Sequence, residues 1–376
     1  MERIKICYVI VNCKITGPMN QTLNIIKNLN KDRYEVSFIT LFDEEKNNSM
    51  IDLYLKECKN HYCLGLNRIS SLVIGKKKLY EKLADIKPDV VHALGMPPYR
   101  LSLKYKDAKP LVTLRNYAYE DYPSYYNKLI GPILAYLDVS LIKKLHKKGN
   151  KFVTCSESLS NIYIEKEKLN LPYIRNGVDI EKYTTCSNEE KLNLREKLNL
   201  PKEKIIFIYT APFNERKNQE FAIKSILNSK NQKDILLILC GDGTTLEELK
   251  QKYKEYENII FTGKIKNIPE YLKASDVYFS TSKSEGLPNS VLEGMATGLS
   301  VILSDIPQHL EFFELNENIG YYYEQDNLKN VTDIIESLNS EKINLMGNNA
   351  YQTILNNLSS KCMSEKYQEL YEEMIK

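Results

Sequence analysis

The 376-residue chain has no CxxC pair among its eight cysteines, only four histidines, and no apolar run approaching the ~18 residues of a membrane span. Cys58, His61 and Cys63 are close enough to suggest a metal, but a second ligand pair at zinc spacing is missing. No metal is expected. Cys7, Cys155 and Cys240 fall inside or at the ends of apolar strand patterns, where a free thiol packs as a small hydrophobe. A reducing, cytoplasmic compartment is the expectation. The N-terminal MERIKICYVIVNCKITG is charged and then apolar, yet no small-residue cleavage site follows. KICYVIV therefore reads as a first buried strand. No helix-turn-helix, zinc or RNP pattern accompanies the basic residues, so nucleic acid is not an expected partner.

What the chain does have is unevenly placed charge. Residues 1–185 hold 30 Lys and Arg against 20 Asp and Glu, whereas residues 186–376 hold 22 against 29. This asymmetry argues for two separate units, the first facing something anionic. The clusters GKKKLYEK (75–82) and LIKKLHKKGNK (141–151) carry much of the excess. In the second, Leu141, Ile142 and Leu145 recur at helical spacing beside lysines. Such a segment is either a helix on an anionic membrane surface or a helix with one solvated face. His146, among those lysines, reads as surface.

Short apolar runs alternate with helical patterns: KICYVIV (5–11), VSFIT (36–40), DVVHAL (89–94), LVTL (111–114) and KFVTCS (151–156) in the first half. KIIFIYT (204–210), DILLILCG (234–241), NIIFTG (258–263), DVYFST (276–281) and SVILS (300–304) follow in the second. Strands apolar on both faces and linked by helices make parallel sheets covered on both sides. Two such series imply two doubly wound α/β domains, with the break between NGVD (176–179) and KLNLP (197–201). Helical material closes the chain from about residue 326.

Ligands of open parallel sheets sit beyond the carboxyl ends of the strands. At the first, TGPMNQ is either a plain turn or a place where Gly17 lets backbone approach a phosphate, with a helix start at Gln21 adding amide donors. GDG (241–243) lacks the GxGxxG spacing of a dinucleotide fingerprint. APFNERKN (211–218) puts Arg216 and Lys217 where they could neutralise a diphosphate, or where they are simply solvated. SEGLPNSVLEG (284–294) places Glu285 and Glu293 about a Gly-Leu-Pro-Asn turn. One reading makes Ser290 and Glu293 a capping box. The other puts Pro288 in the first helical turn, where its missing N–H costs nothing, aims the amides near Gly286 to Asn289 toward an anion, and leaves both carboxylates to accept from hydroxyls. Spacing does not decide between them.

NGVD, the Lys217-Asn218 helix start, GDG and SEGLPNSVLEGMATGLSVILSD (284–305), in this order, resemble the retaining GT-B glycosyltransferases of the family-4, group 1 type. The likeness spans nearly the whole chain and is strongest in the second half. It implies two Rossmann-like, doubly wound domains facing across a cleft. Residues 1–182 would bind the acceptor, joined by a C-terminal helix at about 361–376. Residues 183–360 would bind a nucleoside-diphosphate-sugar donor. By that resemblance Glu293 holds ribose hydroxyls, Glu285 sugar hydroxyls, and Lys217 the leaving diphosphate. Backbone around Gly286, Leu287 and Pro288 meets the sugar or phosphates, backbone at Lys264 and Ile265 the base, and Gly17 belongs to a loop reaching the phosphates.

Two departures stand out. Ala211-Pro212 occupies the place where the family carries Gly-Arg, so Arg216 is expected to supply part of the missing charge, imperfectly if it and Lys217 diverge on a helix. Arg115 stands where many relatives have histidine; it either binds a phosphate or acidic sugar, or pairs with Glu120 or Asp121. His92, Asn116 and Tyr117 join it as acceptor-side candidates. His309 lies near the donor side. Tyr99, Tyr117, Tyr119, Tyr122, Tyr125 and Tyr126 suit either sugar stacking or an ordinary core. No Asp-x-Asp pair is present, so metal-independent transfer of a sugar to a glycan or lipid-diphosphate acceptor is expected, in assembly of a bacterial surface polysaccharide. A nucleotide-sugar epimerase or hydrolase, or a non-catalytic partner of another transferase, is the alternative.

Overall fold

The computed structural model describes residues 2–376, apart from the side chains of Ser124 and Tyr125. The chain divides into two units. The first runs to Gly177 and takes back Ser360–Lys376; the second is Val178–Ser359. The divisions thus fall at 177 and 359, where 182 and 360 were expected.

Unit 1 holds β1 (Ile4–Ile10), β2 (Tyr34–Phe42), β3 (Asn60–Leu66), β4 (Val90–Leu94), β5 (Lys109–Leu114) and β6 (Lys151–Thr154), paired in the order β3-β2-β1-β4-β5-β6. Unit 2 repeats the plan with β7 (Ile205–Thr210), β8 (Ile235–Cys240), β9 (Ile259–Gly263), β10 (Val277–Ser280), β11 (Ser300–Ser304) and β12 (Gly320–Tyr323), in the order β12-β11-β10-β7-β8-β9. Every pairing is parallel. The central strands are buried on both faces, β8 and β4 throughout, which is why they read as continuous apolar runs. Each unit is doubly wound, as expected.

The two strands absent from the sequence reading are β3 and β12, an edge of each sheet. In β3 the residues that hinted at a metal have other partners: His61 hydrogen-bonds Thr40 at 3.0 Å and Cys63 bonds Asp43 at 3.4 Å. Cys58, just ahead of the strand, is buried.

The helix Ser360–Ile375 completes unit 1 rather than standing apart from it. Met363, Tyr367, Tyr371 and Met374 recur on one face and enter the core behind β1 and β4. Tyr371 Oη lies 2.7 Å from Tyr8 Oη and 2.8 Å from His92 Nδ1, while Tyr367 Oη lies 2.9 Å from Thr113 Oγ1. Pairing their hydroxyls with one another lets these rings be buried without orphaned polar atoms.

Candidate functional site

In unit 2 the strand order reverses between β7 and β10. Successive connections run from β7 to one side and from β10 to the other, and their carboxyl ends bound the crevice where such sheets take ligands. The loops leaving these two strands are tied together. Thr281 Oγ1 donates to the carbonyls of Lys217 and Asn218 at 3.1 and 2.8 Å, and Tyr209 Oη donates to that of Lys217 at 2.9 Å. The Lys283 amide donates to the Arg216 carbonyl at 2.8 Å. Asn218 turns the chain into the next helix through a left-handed conformation, φ 51°, that asparagine tolerates better than most residues.

That helix begins only at Gln219. Arg216 and Lys217 therefore lie in the turn before it, and the expected divergence of neighbouring helical side chains does not arise. Both converge on Glu285: Lys217 donates to Oε1, and Arg216 Nη1 lies 3.3 Å from Oε2 while donating to the Ser284 carbonyl at 2.6 Å. The Lys217 and Glu285 side chains are each 8% exposed. Burial alone would raise the Glu285 carboxyl, but the adjacent Lys217 and Arg216 charges overcome it and hold the group at about 2. It is ionised at any physiological pH. Burial pulls the Lys217 ammonium below the ordinary lysine range, Glu285 opposing and Arg216 adding to that pull.

The helix after β10 is Asn289–Ala296, capped by the extended Pro288 with no side-chain cap. Ser290 is thus inside the helix, and the capping box with Glu293 is not formed. The half-buried Glu293 instead meets Tyr183. Burial pushes its carboxyl up to about 7, with Lys182 and the Tyr183 hydrogen bond pulling the other way. Tyr183 was not singled out from the sequence. Gly294 sets the helix close against the sheet, since a Cβ there would lie 2.6 Å from the Tyr278 ring. Gly286, Leu287 and Pro288 are buried in the turn ahead of Asn289. Lys264 and Ile265 follow the edge strand β9 at the same end of the sheet. His309 is fully buried, its Nδ1 3.0 Å from the Ser304 carbonyl, and burial lowers it to about 4 against the pull of Glu285. It is a neutral packing residue.

GDG is a close-approach motif. A Cβ on Gly241 would lie 1.9 Å from the Ala211 carbonyl oxygen, and one on Gly243 2.2 Å from that of Phe213. The chain after β7 is clamped there, with Pro212 exposed.

In unit 1 the reversal lies between β1 and β4, and a cavity of about 380 Å³ opens at the carboxyl ends of β1, β4 and β5. Arg115 and Asn116 line it, together with Tyr99, Tyr122, Asp121 and Asp138. Glu120 pairs with Lys166 at 3.2 Å, and Arg115 turns to Asn176 of NGVD, donating from Nη1 to its side-chain oxygen. Gly177, beside it, is held by both arms of the Gln21 amide at 2.8 and 3.1 Å. Gly17 opens its helix, which starts there and not at Gln21.

Two acceptor-side candidates are placed elsewhere. His92 has no exposure; its nitrogens lie 2.8 Å from Tyr371 Oη and 2.8 Å from Thr113 Oγ1, and burial lowers it to about 3. Tyr117 packs edge-on against Tyr163 and donates to Glu167 at 2.5 Å. Of the tyrosine series, Tyr99 and Tyr122 reach the cavity, and the Tyr125 side chain lies outside the described residues. His146 packs its ring against Phe152. Asp138, 8% exposed, was not anticipated.

Two family models match consecutive stretches: Glycosyltransferase Family 4 over residues 15–182 and Glycosyl transferases group 1 over residues 190–353. The chain belongs to the group 1 glycosyltransferases of the GT-B fold. An O-antigen biosynthesis glycosyltransferase, WclY, of Escherichia coli is 26% identical over 99% of both chains. A UDP-Gal:α-D-GlcNAc-diphosphoundecaprenol α-1,3-galactosyltransferase of the same species is 25% identical over 100% of this chain and 98% of its own. The Anabaena Alr3699/HepE structure with UDP and glucose superposes with a TM-score of 0.80 at 17% identity, covering 99% of this glycosyltransferase and 100% of that chain.

Proposed function

We propose that this glycosyltransferase moves a sugar from a nucleoside diphosphate to a hydroxyl of a glycan or lipid-diphosphate acceptor, with retention at the anomeric carbon, in synthesis of a bacterial surface polysaccharide. The observation that carries the reading is the Arg216–Lys217–Glu285 cluster at the switch point of unit 2. Two cations against one carboxylate leave positive charge in excess where a diphosphate would lie. Glu285, ionised and already holding both cations, is suited to accept hydrogen bonds from sugar hydroxyls and unsuited to donate a proton. Glu293, further along the helix with Tyr183 beside it, is assigned the ribose hydroxyls.

In the step itself the bond from the anomeric carbon to the diphosphate oxygen breaks as the acceptor oxygen bonds to that carbon on the same face. The acceptor proton passes to the leaving diphosphate. Lys217 and Arg216 stabilise the charge that develops there, which is the task a metal performs in other transferases. Turnover undiminished by excess chelator is the expected result.

A lipid-linked acceptor is supported by the surface of unit 1. The helix Ile130–His146 buries Ile142 and Leu145, the residues whose spacing suggested membrane contact. The exposed apolar residues lie earlier: Leu129 at 83%, just before the helix, with Ile130, Ile133, Tyr136 and Leu137 in it. Ile69, Leu72 and Val73 form a second exposed group beside Lys76, Lys77 and Lys78. Apolar side chains flanked by lysines are complementary to an anionic bilayer surface. Among the described residues no helix is long and apolar enough to cross a membrane.

Thermal shift against a panel of nucleoside-diphosphate sugars tests the donor assignment. A ligand at a hundred times its Kd stabilises by about 2.7 kcal/mol, a rise of roughly 5 to 10 °C for a unit of this size. No shift with any of them would overturn it.

A further inference from the structure

The cavity of unit 1 collects polar groups that the unit's own folding leaves without partners. Asp138 comes from the buried face of the helix Ile130–His146. Tyr122 Oη donates to its Oδ2 at 2.7 Å, but Oδ1 is buried with no hydrogen-bond partner. Arg115 Nε and Nη2, and Tyr99 Oη, are in the same condition and line the same cavity. Such groups are costly to bury unpaired, and charged ones most of all. Four such atoms on three side chains around one cavity at a switch point mark a place for a ligand rather than a packing accident.

The carboxyl is also held in position. Gly131 brings its helix against the preceding one so closely that a Cβ would lie 2.6 Å from the Pro123 backbone, fixing Tyr122 against Asp138. Burial pushes the Asp138 carboxyl up to about 7, so near neutral pH it can donate as well as accept. A hydroxyl, which does both, matches it.

We infer that Asp138 is a specificity-determining residue for the acceptor: its unpaired oxygen hydrogen-bonds one hydroxyl of a sugar seated in this cavity, while the open edge of the Arg115 guanidinium takes that sugar's phosphate. The inference rests on the proposed glycosyl transfer to a phosphate-linked acceptor. A sugar lacking that hydroxyl would leave Oδ1 buried and unpaired, which is the condition under which a site discriminates strongly.

The test is calorimetric titration of the full chain with α-D-GlcNAc diphosphate on a short alkyl chain, and with its 3-, 4- and 6-deoxy derivatives. One deoxy derivative is expected to bind about tenfold more weakly than the parent. Asp138→Ala should weaken the parent by about tenfold and erase that difference, and Asp138→Asn, which keeps an oxygen in place, should restore binding to within about threefold. Equal loss for all four probes on Asp138→Ala, or no binding of the parent to the native chain, would each overturn the inference. Parallel titration with the panel of nucleoside diphosphates separates the two levels. If one of them binds and the sugar diphosphate does not, this inference alone falls; if none binds, the proposed function falls with it.

Discussion

Replacing Glu285 by glutamine removes the carboxylate charge shared by Lys217 and Arg216 while keeping the side chain's shape. The cost can be worked in two ways. Holding a carboxyl at about 2 instead of its ordinary 4.5 is worth about 3 kcal/mol to the folded state. Removing one partner of a buried ion pair costs roughly 3 to 5 kcal/mol, because the other charge stays buried. Arg216, 23% exposed against 8% for Lys217, can recover some hydration, so the lower figure is the better one. The folded-state carboxyl titrates below the unfolded one. Its stabilisation is therefore fully present above pH 4.5 and is lost as pH falls toward 2. Urea unfolding of Glu285→Gln and the native chain, followed by circular dichroism and fitted with a transition for each unit, should differ by about 3 kcal/mol at pH 7 and about 1 kcal/mol at pH 3. Taking the difference removes the titration of all other acids. A cost under about 1 kcal/mol at pH 7, or one that does not change with pH, would refute the argument that the two cations hold this carboxylate.

The remaining predictions follow the same contacts. Lys217→Ala should lower kcat by about 100- to 1000-fold and Arg216→Ala by about tenfold, read as release of the nucleoside diphosphate; an unchanged Arg216→Ala would remove that residue from the leaving-group site. Asp138→Asn should stabilise the fold by roughly 2 to 4 kcal/mol at pH 8 and by nothing at pH 3, because a carboxyl raised on folding costs stability as pH climbs through 4 to 7. Urea unfolding at the two pH values checks it, and a destabilised variant at pH 8 would contradict it. Gly241→Ala places a Cβ 1.9 Å from the Ala211 carbonyl oxygen at φ 148°, and a loss of roughly 2 kcal/mol or more in calorimetry is expected. Ile133→Glu with Leu137→Glu should reduce co-sedimentation with phosphatidylglycerol vesicles by about tenfold or more; equal binding would move any membrane contact elsewhere.

Which parts were legible from sequence follows from how residues are buried. Ten strands announce themselves as apolar runs, nine of them largely covered on both faces; the edge strand β9 is mostly half-buried yet still opens with the apolar run IIF. In contrast, β3 reads NHYCLGL with its first four positions partly or fully exposed, and β12 is only GYYY with two of its four exposed to some degree. An edge strand lacks a neighbour on one side, so its sequence need not be continuously apolar. The Glu285–Glu293 pair was visible through its turn. Asp138 was hidden in IGPILAYLDVSLIKKL, although the signal was there: Gly131, Ala135, Asp138, Ile142 and Leu145 fall on one helical stripe, all buried. An acid centred in such a stripe must be paired, protonated or functional. His92, an acceptor-side candidate although a strand-end histidine is more often packed than a proton carrier, is packed: the helix from the end of the chain, hundreds of residues away, takes its nitrogen through Tyr371.

The two units carry the same topology and put their polar groups at the same reversal, yet they settle the charge differently. In unit 2 Lys217, Arg216 and Glu285 satisfy one another, so the cluster is stable on its own, and under the proposed function its excess positive charge draws a diphosphate. In unit 1 Asp138 Oδ1, Arg115 Nε and Nη2 and Tyr99 Oη remain buried without partners, and the folded state carries that cost until a ligand meets them. An internally paired cluster recognises charge and tolerates variation in what is attached to it. Unpaired groups of fixed position instead recognise a pattern of hydroxyl and phosphate, and penalise its absence. Selectivity for the acceptor should accordingly respond to substitution in unit 1 more sharply than donor affinity does, and the strength of diphosphate binding should respond to Arg216 and Lys217.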